Sequence, residues 1–160
     1  MPIGISFYTL QAIGYMADVY WGKIKAETNL ENTALFLAFF PQIMEGPISR
    51  YSDVSDTLFS EKPLELRNLQ NGYIRIIWGL FKKKIVADRL AVAVGMVFEH
   101  YTSYSGLIVA VSAVAYTVQL YMEFSGCMDM IIGSGELFGV RLPENFRQPF
   151  CARNAAEFWR

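Results

Sequence analysis

Residues 101–122 read YTSYSGLIVAVSAVAYTVQLYM and decide the fold class, because they contain no ionisable side chain other than tyrosine. A helix rises about 1.5 Å per residue, so about 20 mostly apolar residues are needed to cross the roughly 30 Å hydrocarbon core of a bilayer. Tyrosines stand near both ends of the run, where membrane proteins place aromatic belts. The stretch therefore predicts a membrane-spanning helix.

Residues 1–21 form a second apolar run of spanning length, interrupted only by Ser6, Thr9, Gln11 and Asp18. The run lacks the basic start and the small-residue cleavage pattern of a signal peptide, so it predicts a second crossing. Of the 160 residues, 53% are hydrophobic, which is above the usual share in soluble domains. A net charge of −1 gives no reason to expect nucleic acid as a partner.

Residues 33–44, TALFLAFFPQIM, are strongly apolar but too short to cross a membrane. Pro41 removes a backbone donor near the end of this run, so the segment predicts a half-helix or re-entrant element. Irregular backbone persists at membrane depth only where protein or a wet cavity surrounds it, so further helices are expected around it. Residues 49–70 mix acidic and basic side chains and predict an extramembrane connection with short interfacial helices.

The lysine triplet Lys82, Lys83 and Lys84 separates two apolar runs, residues 73–81 and 85–98. Both runs predict helices. Lysines at a helix end can extend toward the membrane surface, so the triplet is expected to bind anionic headgroups there.

Lysine and arginine concentrate in the short cytoplasmic loops of membrane proteins. Lys23 and Lys25, the lysine triplet and the arginines of residues 141–160 are therefore expected inside, and residues 99–105, without Lys or Arg, outside. Three crossings and one half-helix satisfy this order. The predicted fold is all-α: a multi-pass membrane helical bundle with a re-entrant half-helix.

Asp129 is the acidic residue that most suggests a function, because an ionisable group at membrane depth is costly. It follows Gln119 and Glu123, which lie four residues apart and so share one face of a helix. A polar face at this depth must meet another polar element. Two interpretations remain open: hydrogen bonding between helices, or the wall of a polar cavity.

The other titratable residues favour structural roles. Asp88 adjoins Arg89 and lies within a helical turn of Lys84, so a structural ion pair near the membrane surface is expected, and Asp18 lies near the end of its helix. His100, the single histidine, is expected in an exposed loop without the partners of a catalytic triad. Cys127 and Cys151 have neither metal-ligand spacing nor histidine neighbours, so no metal site is predicted and both are expected to be small core residues.

Residues 141–150, RLPENFRQPF, combine basic, amide and aromatic side chains between two prolines. Arginine binds phosphate or carboxylate through paired hydrogen bonds, which would suit an anionic donor such as coenzyme A. The alternative is a cytoplasmic loop whose arginines only follow the usual charge bias.

Several segments in order resemble one family, the membrane-bound O-acyltransferases, and within it the alginate O-acetyltransferase branch. The first two are PIGISF at residues 2–7 and FPQ at 40–42 followed by GPI at 46–48 with Arg50. The others are WGLFKK at 78–83, FSG at 124–126 with Asp129, and LP at 142–143 with Asn145, Phe146 and Pro149. Glu45 departs from the family pattern, which usually has a smaller residue there.

The resemblance implies a parent enzyme that acylates a hydroxyl of an exported polysaccharide such as alginate, or of a periplasmic or extracellular partner protein. Residues 1–160 would form part of one transmembrane domain in the bacterial inner membrane, in contact with lipid, with segments missing on both sides. The resemblance implies no bound cofactor; the acyl donor would be acetyl-CoA or another acyl thioester.

The resemblance also implies that the catalytic histidine lies beyond Arg160, so the isolated chain is expected to be inactive. From their positions in the chain, Gln119, Asp129 and Asn145 are expected to line or brace the cavity, and Arg153 or Arg160 to meet the donor. The competing interpretations are a multi-pass transporter or channel subunit, which would need an inverted repeat that the sequence lacks, and a structural membrane subunit.

Overall fold

A computed structural model describes residues 4–43, 46–60, 63, 65–146 and 149–158. Within these residues the secondary structure is entirely helical. The helices are α1 (Ile5–Tyr20), α2 (Leu30–Ala38), α3 (Phe40–Ile43), α4 (Tyr51–Leu58), α5 (Leu66–Phe81), α6 (Asp88–Glu99), α7 (Gly106–Leu137) and α8 (Ala155–Phe158). A π-helical segment (Lys82–Ala87) joins α5 to α6, and short 3₁₀ turns occupy Tyr101–Ser103 and Pro149–Cys151.

Helix α7 is the one described helix that is long and apolar enough to cross a membrane. Its bounds differ from the predicted span at both ends. Tyr101–Ser103 form a separate 3₁₀ turn, and α7 starts at Gly106 after Ser105 in extended conformation. At the other end the helix continues past Met122 for another four turns, so Asp129 lies within α7 and not in a connection after it.

Helix α7 ends where Gly139 adopts a φ of 74°. The Gly139 N–H donates to the carbonyl of Glu136, and the Val140 N–H donates to that of Gly135. These two bonds form a Schellman motif, which satisfies carbonyls that the last helical turn leaves open. The chain then turns back, and Val140 and Leu142 are buried against Ile132 and Val54.

The lysine triplet does not separate two helices as predicted. Residues 66–99 form one uninterrupted helical rod, because the π-helical segment continues the backbone from α5 into α6. Lys82 and Lys83 bind side chains of α7, so the expectation that they reach lipid headgroups is wrong. Lys84 alone of the three is largely exposed, and it forms the predicted pair with Asp88 at 2.9 Å.

Two glycine pairs bring α5 and α7 into backbone contact as an antiparallel hairpin. A methyl group placed on Gly79 would lie 2.5 Å from the Gly126 carbonyl oxygen, and one on Gly72 would lie 2.7 Å from that of Gly133. Each pair is seven residues from the next on its helix, so both lie on one face. Only glycine permits this approach, and the close packing fixes which residues of α5 oppose α7.

The segment predicted as a half-helix is interrupted at Phe39, before Pro41. Phe39 is extended, with a ψ of 101°, and separates α2 from α3. Pro41 has no N–H and its ring would clash with a preceding carbonyl, so α2 cannot continue through it. Gln42 of α3 then accepts a hydrogen bond from Gln11 of α1 at 2.9 Å and donates one to Ser49 at 2.8 Å.

Helix α1 covers 16 residues, so in the described part of the chain it is shorter than the predicted crossing of residues 1–21. Residues 49–70 contain the expected short helix, α4, although their last residues already belong to α5. Tyr51 of α4 donates a hydrogen bond to Glu27 at 2.7 Å and packs against Phe36 and Tyr15. This bond lowers the pKa of the Glu27 carboxyl, and burial raises the pKa of Tyr51.

Candidate functional site

Lys82 and Asp129 form the centre of the candidate site, at the contact between the π-helical segment and α7. The Lys82 ammonium lies 2.6 Å from one Asp129 carboxylate oxygen and donates to the Ser125 hydroxyl at 2.8 Å. Lys83, the next residue, pairs with Glu123 at 2.8 Å. Consecutive residues of an α-helix point about 100° apart, and a π-helical segment changes that spacing locally, which suits two adjacent lysines bound to one partner helix.

Arg75 binds the other side of Asp129. Its Nε lies 3.2 Å from the second carboxylate oxygen, and its terminal nitrogens reach Glu144 and, at 4.0 Å, Glu136. Arg75 precedes Lys82 by seven residues, so both project from one face of the rod toward α7. The side chains of Arg75, Lys82 and Asp129 are 22%, 17% and 14% exposed, so water screens these charges only in part.

This ionic cluster comprises Arg75, Lys82, Asp129, Glu136 and Glu144. Two cations face three carboxylates, so every positive charge is neutralised within the cluster. An anionic ligand would have to displace a carboxylate in order to bind either cation. The arrangement therefore suits fixing helices relative to each other better than holding a phosphate.

A small cavity of about 50 Å³ opens beside the ionic cluster. Asp129 and Asn145, two of the predicted cavity residues, both line it together with Lys82, Ser125 and Tyr121. A water molecule occupies about 30 Å³ in the liquid, whereas small-molecule sites usually measure about 300–1,000 Å³. The cavity has room for water and not for a coenzyme.

Two other predicted residues, Gln119 and Arg153, do not line this cavity. Gln119 is half-buried, and its side chain forms no hydrogen bond with any described residue. Arg153 is exposed, and its backbone N–H donates to Glu157 at 2.9 Å. Arg160 lies outside the described residues. The role of Gln119 in lining or bracing a cavity and that of Arg153 or Arg160 in meeting the donor stay predictions.

His100 is exposed, as predicted, at the end of α6. Gly106 and Asp129 are 23 residues apart on α7, which corresponds to about 35 Å along the axis. His100 precedes Gly106, so it lies at the opposite end of the hairpin from the ionic cluster. A proton cannot pass between groups so far apart without a relay.

Asp18 forms an ion pair with Lys23 at 3.3 Å, near the end of α1. Cys127 is half-buried, whereas Cys151 is exposed, so the assignment of Cys151 to the core is wrong. Cys151 lies in a 3₁₀ turn after the proline-containing loop.

Arg75, Glu136 and Glu144 were missed from the sequence. Arg75 is the only charged residue between Tyr73 and Phe81, and this isolated position in an apolar run was the available signal. Pairing it with Asp129 required the register of α5 against α7, which hydropathy does not contain.

Known proteins are similar to this chain over its whole length, although no family model matches it. The chain is 41% identical over 160 residues to the "Probable alginate O-acetylase" of Pseudomonas fluorescens, covering 100% of this chain and 32% of that protein. It is 35% identical to the "Peptidoglycan O-acetyltransferase" of Helicobacter pylori, covering 100% of this chain and 35% of that protein. It is 27% identical to the "Teichoic acid D-alanyltransferase" of Bacillus subtilis, over 98% of this chain and 40% of that protein.

The chain spans about a third of the length of the curated relatives that it matches most strongly. Its likeness to them is continuous, because the alignment includes every residue from 1 to 160. The motif residues noted above therefore lie within one aligned region, and so do Arg75, Lys82 and Asp129. The chain is therefore similar along its whole length to proteins named as alginate O-acetylases, and a helix of spanning length lies within the similar region, in agreement with the resemblance to the membrane-bound O-acyltransferases noted above.

Proposed function

We propose that the protein containing this chain transfers an acetyl group from acetyl-CoA or another acyl thioester to hydroxyl groups of an exported polysaccharide such as alginate. The 41% identity over the whole chain to proteins named as alginate O-acetylases carries this proposal. The relative that is 35% identical is named for O-acetylation of another polymer, peptidoglycan. The shared element in these names is acetyl transfer to a cell-envelope polymer.

The reaction needs a base and a leaving group in defined places. The acceptor oxygen attacks the thioester carbonyl carbon, the C–S bond breaks, and the hydroxyl proton is passed through a base to the departing thiolate. Histidine suits this exchange because its ordinary pKa lies near neutral pH. His100 is exposed and remote from the ionic cluster, so we propose that a histidine outside residues 1–160 is the base.

We propose that the chain is multi-pass, with residues 33–44 forming a re-entrant element. If the outer edge of the hydrocarbon core lies near Gly106, a depth of about 30 Å is reached after about 20 residues of α7. Asp129 then lies close to the inner boundary, on the side where a cytoplasmic thioester would arrive. The lysine triplet shares this level, whereas Glu99–Ser105 lie at the other end of the hairpin.

The proposed role of the ionic cluster is to hold the inner end of the hairpin in register. Its two cations are neutralised, and the cavity beside it is too small for a coenzyme. It therefore positions the helices around a donor channel without itself holding the donor. Arg153 and Arg160 remain candidates for contact with the donor, and Gln119 remains a candidate for the wall of the donor channel.

The test is acyl transfer by the purified full-length protein in lipid nanodiscs, supplied with acetyl-CoA and alginate oligosaccharides. We expect thiol release that depends on the acceptor, together with acetyl esters detectable by mass spectrometry. D-alanyl thioester serves as the comparison donor, because one weaker relative is named for D-alanyl transfer. Preference for D-alanyl thioester would redirect the substrate proposal. Absence of turnover with every thioester, under conditions where the protein is folded, would favour a transporter or structural subunit.

A further inference from the structure

A groove of about 340 Å³ runs beside α1, away from the ionic cluster. Its size falls within the usual range for small-molecule sites. Leu10, Gly14 and Ala17 of α1, together with Ile48, supply its apolar lining, and Gln11 and Ser49, which both bind Gln42, line it as well. Leu10, Gly14 and Ala17 are three or four residues apart, so they form an apolar strip along one face of α1, with Gln11 beside it.

The groove also has a charged lining with a net positive charge. Lys23 and Asp18 line it at the C-terminal end of α1, and Arg50 lines it as well. Lys23 pairs with Asp18 at 3.3 Å while its side chain stays 49% exposed. No described carboxylate lies within ion-pair distance of Arg50. One positive charge therefore remains uncompensated at this end among the described groups.

The length of the groove and the aromatic residues beside its charged end both match a lipid in one leaflet of a bilayer. From Leu10 to Trp21 the helix rises about 16 Å, close to half of a roughly 30 Å hydrocarbon core. Tyr20 and Trp21, which are 87% and 65% exposed, stand beside the charged end. Exposed aromatic residues next to lysine mark the level of the headgroups.

We infer that this groove binds one anionic phospholipid, with its phosphate at the Lys23 and Arg50 end and an acyl chain along the Leu10–Gly14–Ala17 strip. The groove favours a lipid over a water-soluble phosphate, because only a lipid has an acyl chain that can contact the apolar strip while its phosphate contacts the cationic side chains. Anionic headgroups are attracted to basic residues at the cytoplasmic surface. The inference depends on membrane insertion and not on acyl transfer, so either proposal can fail alone.

The structure offers a variant that fills the groove without disturbing the helix. A Cβ added at Gly14 meets no atom within 4 Å, so Gly14→Leu should extend into the groove without an initial clash. Gly95 of α6 is equally open and does not line the groove, which makes Gly95→Leu the matched control. Arg50→Gln removes the open charge, and Arg67→Gln removes an exposed arginine elsewhere as its control.

The measurement is native mass spectrometry of the delipidated full-length protein titrated with phosphatidylglycerol, with diacylglycerol and glycerol phosphate as separate arms. We expect one tightly bound phosphatidylglycerol, about fivefold weaker binding in Arg50→Gln from the loss of one surface charge, and loss of that lipid in Gly14→Leu. Gly95→Leu and Arg67→Gln should bind as the wild type does.

Equal binding of diacylglycerol would overturn the proposal, because it would show that the phosphate is not recognised. Displacement of the lipid by glycerol phosphate would also contradict the proposal, because it would show that the site binds a soluble phosphate without an acyl chain. Unchanged binding in Arg50→Gln would also overturn it, whether or not Gly14→Leu folds. An absence of bound lipid in the wild type would indicate that another protein segment covers the groove.

Discussion

Asp129 is held by two cations of the facing rod, one on each carboxylate oxygen. Removing one partner of a largely buried ion pair is costly, because the remaining charge loses its compensation in a poorly solvated place. We expect Lys82→Met to lower the free energy of unfolding by about 2–3 kcal/mol, somewhat less than for fully buried pairs because these side chains keep 14–17% exposure. Unfolding in mixed detergent micelles provides the measurement.

The double variant Lys82→Met/Asp129→Asn separates the pair from its surroundings. If the two residues stabilise the hairpin through each other, the double variant should lose less stability than the sum of the single losses. Lys84→Met is the matched control, because Lys84 is mainly exposed and pairs within its own helix. Strict additivity of the two single changes would contradict a direct interaction.

Tyr51 and Glu27 give the fold a defined dependence on pH. The Tyr51 hydroxyl, followed by the Asn29 backbone, lowers the pKa of Glu27 below its ordinary value of 4.5. A lowered pKa means that the contribution to stability is present above pH 4.5 and is lost as the pH falls through the folded-state pKa. We expect Tyr51→Phe to unfold at a lower temperature than the wild type at pH 7, with the gap narrowing toward pH 3.

Thermal unfolding of Tyr51→Phe and of the wild type, monitored by circular dichroism between pH 7 and pH 3, provides the measurement. Tyr15→Phe tests the neighbouring hydroxyl, which accepts the Glu27 backbone N–H at 2.8 Å but does not bind its carboxylate. Its stability difference from the wild type should not narrow over the same pH range. A pH-independent gap for Tyr51→Phe would rule out the proposed bond.

At the scale of elements, α5 and α7 are fitted together by their glycine pairs. Gly79→Ala would place a methyl group 2.5 Å from the Gly126 carbonyl oxygen. Overpacking of this kind typically costs about 1–3 kcal/mol. Gly95→Ala is the control, because its Cβ meets open space and alanine is the better helix former, so that variant should be neutral or slightly more stable. Equal stability of the two variants would mean that the helices are not in backbone contact.

Helix content and the apolar span near residue 106 were predictable from hydropathy, because a run of about 20 apolar residues matches the length of a helix that crosses a bilayer. The continuity of the rod through Lys82, Lys83 and Lys84 was not predictable from hydropathy. Three adjacent cations normally indicate a surface, and only the carboxylates on α7 make it favourable for two of them to face inward. Which carboxylate meets which lysine depends on the register set by Gly79 and Gly126, and a single sequence carries no record of that pairing.

The candidate site was likewise predictable from the sequence only in part. A polar partner for Asp129 was predicted from the cost of an isolated charge, and the structure contains one. Arg75 could not be named, because it lies 54 positions away in the chain. Asn145 reaches the same cavity through the turn at Gly139, which folds the following loop back along α7.

At the scale of the molecule, the hairpin has a charged end and an end without Lys or Arg. This asymmetry predicts that Ser103 faces outward and that Asp56 of α4 faces the cytoplasm. Single cysteines at these two exposed positions, in a cysteine-free full-length protein, can be labelled on intact cells with an impermeant thiol reagent. We expect labelling at position 103 only, and labelling at position 56 only after permeabilisation. The reverse pattern would invert the topology.

Under the proposed function, this chain contributes the ionic framework of an acyltransferase, and its histidine does not catalyse. The full-length protein with Asp129→Leu should lose acetyl-CoA turnover, since Lys82 and Arg75 would both lose a partner at the inner end of the hairpin. His100→Ala should keep turnover within about twofold of the wild type, because His100 is exposed and lies at the opposite end of the hairpin from the inner boundary where the thioester is proposed to arrive.

The most direct measurement is the rate of thiol release and ester formation by the wild type and by these two variants, each inserted to the same level. We expect turnover to be lost in Asp129→Leu and retained in His100→Ala. Full activity in Asp129→Leu, or abolished activity in His100→Ala, would contradict the roles proposed for these two residues.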